Sequence, residues 1–128
     1  MSHKSVGTKG ERDILKMFWD NGWAAVRTPG SGSARFPSPD IIAGKKDRRM
    51  VIEAKITKEN KKYFEEKEIR ELKYFGNLFG AEIWVAIRFK GENWFFINIE
   101  DLIFSGKSYS IDKENAKMKG LLFEEIIK

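Results

Sequence analysis

Asp40-Ile41-Ile42-Ala43-Gly44-Lys45-Lys46-Asp47-Arg48-Arg49-Met50-Val51-Ile52-Glu53-Ala54-Lys55-Ile56 is the stretch from which the fold can be read. Two apolar, β-branched runs, Asp40 to Ala43 and Met50 to Ile56, flank a turn crowded with Lys45, Lys46, Arg48 and Arg49. That is the pattern of a β-hairpin whose tip stands in water. In the second run a side-chain period of two puts Val51, Glu53 and Lys55 on one face and Ile52, Ala54 and Ile56 on the other. In the simplest hairpin register Asp40 comes within reach of Glu53.

Upstream, Thr8-Lys9-Gly10-Glu11 has the spacing of a helix-opening capping box. Ile14, Leu15, Phe18 and Trp19 then recur at helical spacing, and Asn21-Gly22 closes the element. Trp23 to Arg27 reads as a short strand. Thr28 to Pro39 is the one long loop, its glycines, serines and prolines unsuited to regular structure; long loops inside compact domains are commonly functional. Downstream, Glu65 to Phe79 predicts a helix with Ile69, Leu72, Phe75, Leu78 and Phe79 as its apolar stripe and Gly80 as its stop. Glu82 to Phe89 and Trp94 to Ile99 form a second hairpin around Lys90-Gly91-Glu92-Asn93. Residues 103–128 are poorly defined, apart from a short helix near Leu121 to Ile127, and residues 1–7 are expected to be flexible. The order of helix, three strands, helix and two strands predicts a single α/β domain over 1–128: a central mixed sheet of about five strands flanked by helices.

Composition narrows the chemistry. Of 128 residues, 41% are apolar and 34% charged, as in a folded globular chain, and no cysteine is present, which removes disulfides, thiolate metal sites and cysteine nucleophiles together. No apolar run is long enough to span a bilayer and no secretory h-region opens the chain, so no membrane partner is expected and the expected location is the cytoplasm (a host cytoplasm, were the gene viral). The net charge of +5 favours polyanionic partners. Lys58, Lys61, Lys62 and Lys67 add to the basic hairpin turn. Solvated surface charge explains these lysines equally well.

With one histidine, His3, and no cysteine, no nucleophilic triad can be assembled, and Gly30-Ser31-Gly32-Ser33 lacks the residues of a phosphate loop. No small-molecule cofactor is expected. Carboxylate chemistry remains. Convergent carboxylates repel one another, and a hard divalent cation, Mg2+ with Mn2+ able to substitute, relieves that repulsion. Lys55 beside them would orient water or stabilise developing charge. Taken singly, each residue has a plainer role. Asp40 is equally a turn residue, Glu53 and Lys55 an exposed ion-pair ladder, Glu11 the capping partner of Thr8, and Ser31 a loop hydroxyl bonding its own backbone.

Jointly, Gly7-x-x-x-Glu11-Arg12, Val26-Arg27-x-Pro29-Gly30-Ser31-Gly32-Ser33, Pro39-Asp40-Ile41-Ile42-Ala43 and Ile52-Glu53-Ala54-Lys55 resemble the archaeal-type Holliday junction resolvases in order and spacing. Phe79-Gly80-Ala81 and the aromatic strand from Trp94 extend the resemblance over roughly residues 5 to 100. It implies a restriction-endonuclease-like nuclease domain and Mg2+-dependent cutting of four-way junction DNA on two opposing strands. Glu11, Asp40 and Glu53 fall on the family's metal-site carboxylates and Lys55 on its catalytic lysine. Arg27 falls on a basic residue needed for cleavage, and Ser31, with Ser33 as competitor, on a hydroxyl of the active-site loop. The resemblance also implies a homodimer, for which Phe75, Phe79, Trp84, Trp94, Phe95 and Phe96 are the expected interface material. A restriction-type or repair nuclease on the same fold, and a non-catalytic basic DNA-binding module, remain open on the residues alone.

Overall fold

A computed structural model describes residues 3–29 and 35–128. Helix α1 (His3–Asp20) leads into β1 (Ala24–Arg27), β2 (Ile41–Lys45), β3 (Arg48–Thr57) and β4 (Lys61–Glu65). Helix α2 (Glu66–Phe79) follows, then β5 (Glu82–Phe89), β6 (Trp94–Asn98), β7 (Ile103–Phe104), β8 (Ser108–Asp112), α3 (Lys113–Lys119) and α4 (Phe123–Ile126). The main sheet has the order β1-β2-β3-β5-β6. β3 and β5 are parallel, and the β1–β2, β2–β3 and β5–β6 pairs are antiparallel. This is the expected mixed five-stranded sheet flanked by helices.

The alternation read in β3 sorts the core. Met50 and Ile52 join Ile14 and Phe18 of α1, Trp23, Ile41, Phe96 and Phe123 on one side of the sheet. Val51 joins Ile69 and Leu72 of α2, Val85, Ile87, Phe95 and Ile97 on the other. Two glycines set how closely the helices approach. A Cβ on Gly10 would stand 2.7 Å from Ile56 Cδ1 and 3.2 Å from the Trp94 ring, and one on Gly76 would collide with Ile83. At Gly76 a side chain would force α2 away from the sheet, whereas at Gly10 the tip of Ile56 would have to shift to admit one.

Several expectations are corrected. Helix α1 begins five residues before Thr8, so Thr8 and Glu11 form no capping box; packing on Ile56 and Trp94 makes Gly10 a contact residue within the helix. The expected fraying of residues 1–7 falls in part on Met1 and Ser2, which lie outside the described residues. Trp19 is not core: it is 59% exposed, its indole N–H donating to the Ala25 carbonyl at 3.0 Å. Lys61 to Phe64, unassigned in the sequence, and Glu65, expected to open the helix, form a strand that pairs with β8 in a second sheet of order β4-β8-β7. Residues 103–128 are built as β7, β8, α3 and α4, with Ile111, Ala116, Phe123 and Ile126 buried. Trp94, Phe95 and Phe96 are buried within the chain, and Trp84 packs against the core around α1. Trp94, Phe95 and Phe96 are therefore monomer core, Trp84 and Phe75 are half-buried against the two core clusters, and of the expected interface set only Phe79 is exposed.

Arg48 is corrected as well. Rather than reaching into solvent from the basic turn, its guanidinium donates to both carboxylate oxygens of Glu82, at 2.9 and 3.0 Å. It also donates to the Ile126 and Lys128 carbonyls, at 2.8 and 2.9 Å, and lies 5.1 Å over the Trp23 ring. It pins the C-terminal segment to the sheet.

Candidate active site

The β2–β3 register pairs Ile41 with Ile52, and one step further sets Asp40 opposite Glu53. A hydrogen bond locks the arrangement: Asp40 Oδ2 accepts the Ala54 N–H at 3.0 Å. Asp40 is 7% exposed, one of few buried charged residues described. From the neighbouring strand, Arg27 pairs with Ile41, and the Thr28 N–H donates to the Asp40 carbonyl at 2.8 Å. The Thr28–Pro39 loop thus leaves and re-enters the sheet beside Asp40. Ser31 and Ser33 lie outside the described residues.

Helix α1 brings Glu11 in from the sheet's other side, where Arg27 Nε donates to its Oε1 at 3.2 Å. Lys55, two residues along β3 from Glu53, stands 3.5 Å from the Glu53 carboxylate and 2.9 Å from Glu68 Oε2 on α2. Glu11, Arg27, Asp40, Glu53 and Lys55 are therefore drawn together by four elements. Glu68 joins them and was not foreseen. Its signal was available in the Glu65-x-x-Glu68 spacing at the start of α2, where Glu68 Oε1 accepts the Glu65 N–H at 3.1 Å.

The electrostatics are those of a crowded acidic cluster. Burial pushes the Glu53 carboxyl from an ordinary 4.5 up to about 8, with further upward pressure from Asp40 and Glu68 that Lys55 only partly offsets. Burial and then Asp40 raise Glu11 as well, against the opposing effect of Arg27. Burial alone would lower the Lys55 ammonium, but Glu53 and Glu68 outweigh it and the net direction is up. Burial would likewise raise Glu68, and its hydrogen bond from Lys55 reverses the sign. Negative charge at Glu53 and Glu11 is thus held at a cost that a nearby cation would relieve.

Among the described residues no group of three or more Asp, Glu or His side chains stands in metal-ligand geometry; Glu11 turns toward Arg27 and Glu53 toward Lys55. The donor chemistry nonetheless fits a small hard cation. Mg2+ typically takes one or two carboxylates and fills its remaining positions with water and phosphate oxygens, not with an all-protein cage.

A family described as archaeal Holliday junction resolvase (Hjc) matches residues 2–128. The chain belongs to this family. Among curated relatives, the crossover junction endodeoxyribonuclease Hjc of Archaeoglobus fulgidus is 38% identical over 129 residues, covering 95% of both chains. That of Methanocaldococcus jannaschii is 34% identical over 128 residues, covering 99% of this chain and 91% of the relative. The 1.6 Å structure of Archaeoglobus fulgidus Hjc superposes with a TM-score of 0.85 at 37% identity, over 91% of this chain and 94% of that one. The mixed sheet with its helices is thus the restriction-endonuclease-like fold of these resolvases. As a member of the archaeal Holliday junction resolvase family the chain is a nuclease, and neither a bare binding module nor a restriction-type enzyme is favoured. Nucleases of this fold generally depend on a divalent metal. The match reaches past residue 100, so the resemblance takes in the C-terminal segment as well.

Proposed function

We propose that the chain resolves four-way DNA junctions by Mg2+-dependent hydrolysis of phosphodiester bonds in two opposing strands, with Mn2+ able to substitute, acting in the cytoplasm. Family membership supports the substrate. The observation that carries the chemistry is the Asp40–Glu53 pair, two carboxylates with Lys55 alongside on the central hairpin. Asp40 and Glu53, with Glu11 turning from Arg27, would hold the cation. A bound divalent ion of this kind acidifies water and offsets charge on a phosphoryl group. Lys55 presents an ammonium to the phosphate and orients the attacking water. Arg27 neutralises Glu11 in the resting enzyme and is free to contact the backbone phosphate when Glu11 turns. Ser31 would bond the scissile phosphate from the loop whose two ends meet at Asp40.

Two symmetric nicks call for two sites, and an isologous homodimer supplies them. The surface that supports a dimer is a groove of about 350 Å³ lined by Phe36, Pro37, Tyr74, Phe75, Leu78 and Phe79, with Phe36 71% and Leu78 73% exposed. So concentrated an apolar face supports association, and a second copy laying α2 against α2 would cover it twofold. About 15 Å of helix separates Leu78 from Glu68, leaving the carboxylates open to DNA. The test is cleavage of a labelled four-way junction after treatment with EDTA. Cutting is expected to vanish and to return with added Mg2+ or Mn2+; undiminished cutting in EDTA would contradict the metal-dependent reading.

A further inference from the structure

Glu68 occupies a position whose two oxygens do different work. Oε1 accepts the Glu65 N–H at 3.1 Å, which anchors the carboxylate to the first turn of α2, where the helix dipole also favours negative charge. Oε2 meets Lys55 Nζ at 2.9 Å, closer than Glu53 does at 3.5 Å. A lysine ammonium rides on a flexible four-carbon stem and takes its direction from its partners. Glu53 pulls Lys55 along its own strand, whereas Glu68 pulls it toward α2. We infer that Glu68 is a positioning residue for cleavage: it ties the start of α2 to Lys55 and so fixes where the ammonium meets the phosphate. Resting on the proposed catalytic role of Lys55, the inference adds a residue outside the carboxylate–lysine motif of the hairpin.

Glu68→Gln keeps the side chain's volume but leaves one oxygen to serve two donors. Cleavage by this variant is expected to fall about 10- to 100-fold, the scale of a catalytic group displaced by an ångström or less, with junction affinity in EDTA and melting temperature near wild type. A loss of helix stability alone would act equally in any background, so the comparison is repeated in Lys55→Ala. If Glu68 works through Lys55, Glu68→Gln costs nothing further there. A second readout needs neither metal nor DNA: the NMR order parameter of the Lys55 ammonium group in metal-free protein is expected to drop in Glu68→Gln. An equal loss of rate in both backgrounds, or an unchanged order parameter, overturns the inference. Lys55→Ala cutting at the wild-type rate would instead overturn the site reading on which it rests.

Discussion

Replacing Glu53 with Gln is expected to abolish cleavage and, in metal-free protein at alkaline pH, to make the fold more stable. The Glu53 side chain is only 14% exposed, and with Asp40 opposite it the carboxyl rises from 4.5 to about 8. A raised folded-state pKa means that the fold prefers the protonated acid. Its stability contribution is complete below pH 4.5 and is lost as pH climbs through about 8. At about 1.4 kcal/mol for each pH unit between those values, the upper bound is roughly 4–5 kcal/mol. Local relaxation and water entry reduce real burial penalties, so a loss of about 1–3 kcal/mol is expected. Glu68 and Glu92, both shifted down, act in the other sense: their contribution persists until pH falls through their depressed pKa values, outside this window. Glu11, shifted up, adds to the loss but does so in both proteins. Denaturant unfolding in EDTA at pH 5.5 and 8.5 measures the difference. The wild type is expected to lose about 1–3 kcal/mol more than Glu53→Gln across this interval, and Mg2+ is expected to restore the wild type preferentially. Parallel pH profiles would show that Glu53 is not a buried, repelled carboxylate.

Arg48→Ala, which removes the two-pronged ion pair with Glu82 and two hydrogen bonds to carbonyls of the C-terminal segment, is expected to cost about 2–3 kcal/mol, read as a fall in melting temperature of roughly 5–12 °C. Its cleavage rate at a temperature where it remains folded is expected to change little. Ser31→Ala is expected to slow single-turnover cutting more than it weakens junction binding; a larger effect from Ser33→Ala would move that role two residues along the loop. Leu78→Asp, placing charge in the Phe36–Phe79 groove, is expected to shift sedimentation equilibrium from dimer to monomer without unfolding the chain, because Leu78 supports no core.

The hairpin was legible in the sequence because a period of two is unambiguous in a strand as apolar as Met50 to Ile56, and register followed from a short, charged turn. Asp40, Glu53 and Lys55 came together for that reason, and Glu11 and Arg27 were found only through family resemblance. What stayed hidden depended on tertiary packing. Helix α1 runs through Thr8 and Gly10 since contact with Ile56 and Trp94 outweighs a local capping signal. The strand Lys61 to Glu65 is polar on one side and pairs with Ser108 to Asp112 almost fifty residues away, a partner no local pattern reveals. The aromatic residues of β6 looked like interface because composition does not tell a monomer core from a dimer core, and the tail that buries them was itself undefined. Glu68 was visible as a helix-start residue, but its reach to Lys55 depends on how α2 lies on the sheet.

Single-turnover cutting of a four-way junction and of a linear duplex with the same arm sequence, each labelled on every strand and incubated with Mg2+, bears most directly on function. Paired nicks at symmetry-related positions on two opposing strands of the junction are expected, with the duplex left essentially intact and both nicks absent in Glu53→Gln. Comparable cutting of the linear duplex, or nicks on one strand only, would contradict a dimeric junction resolvase built around Asp40 and Glu53.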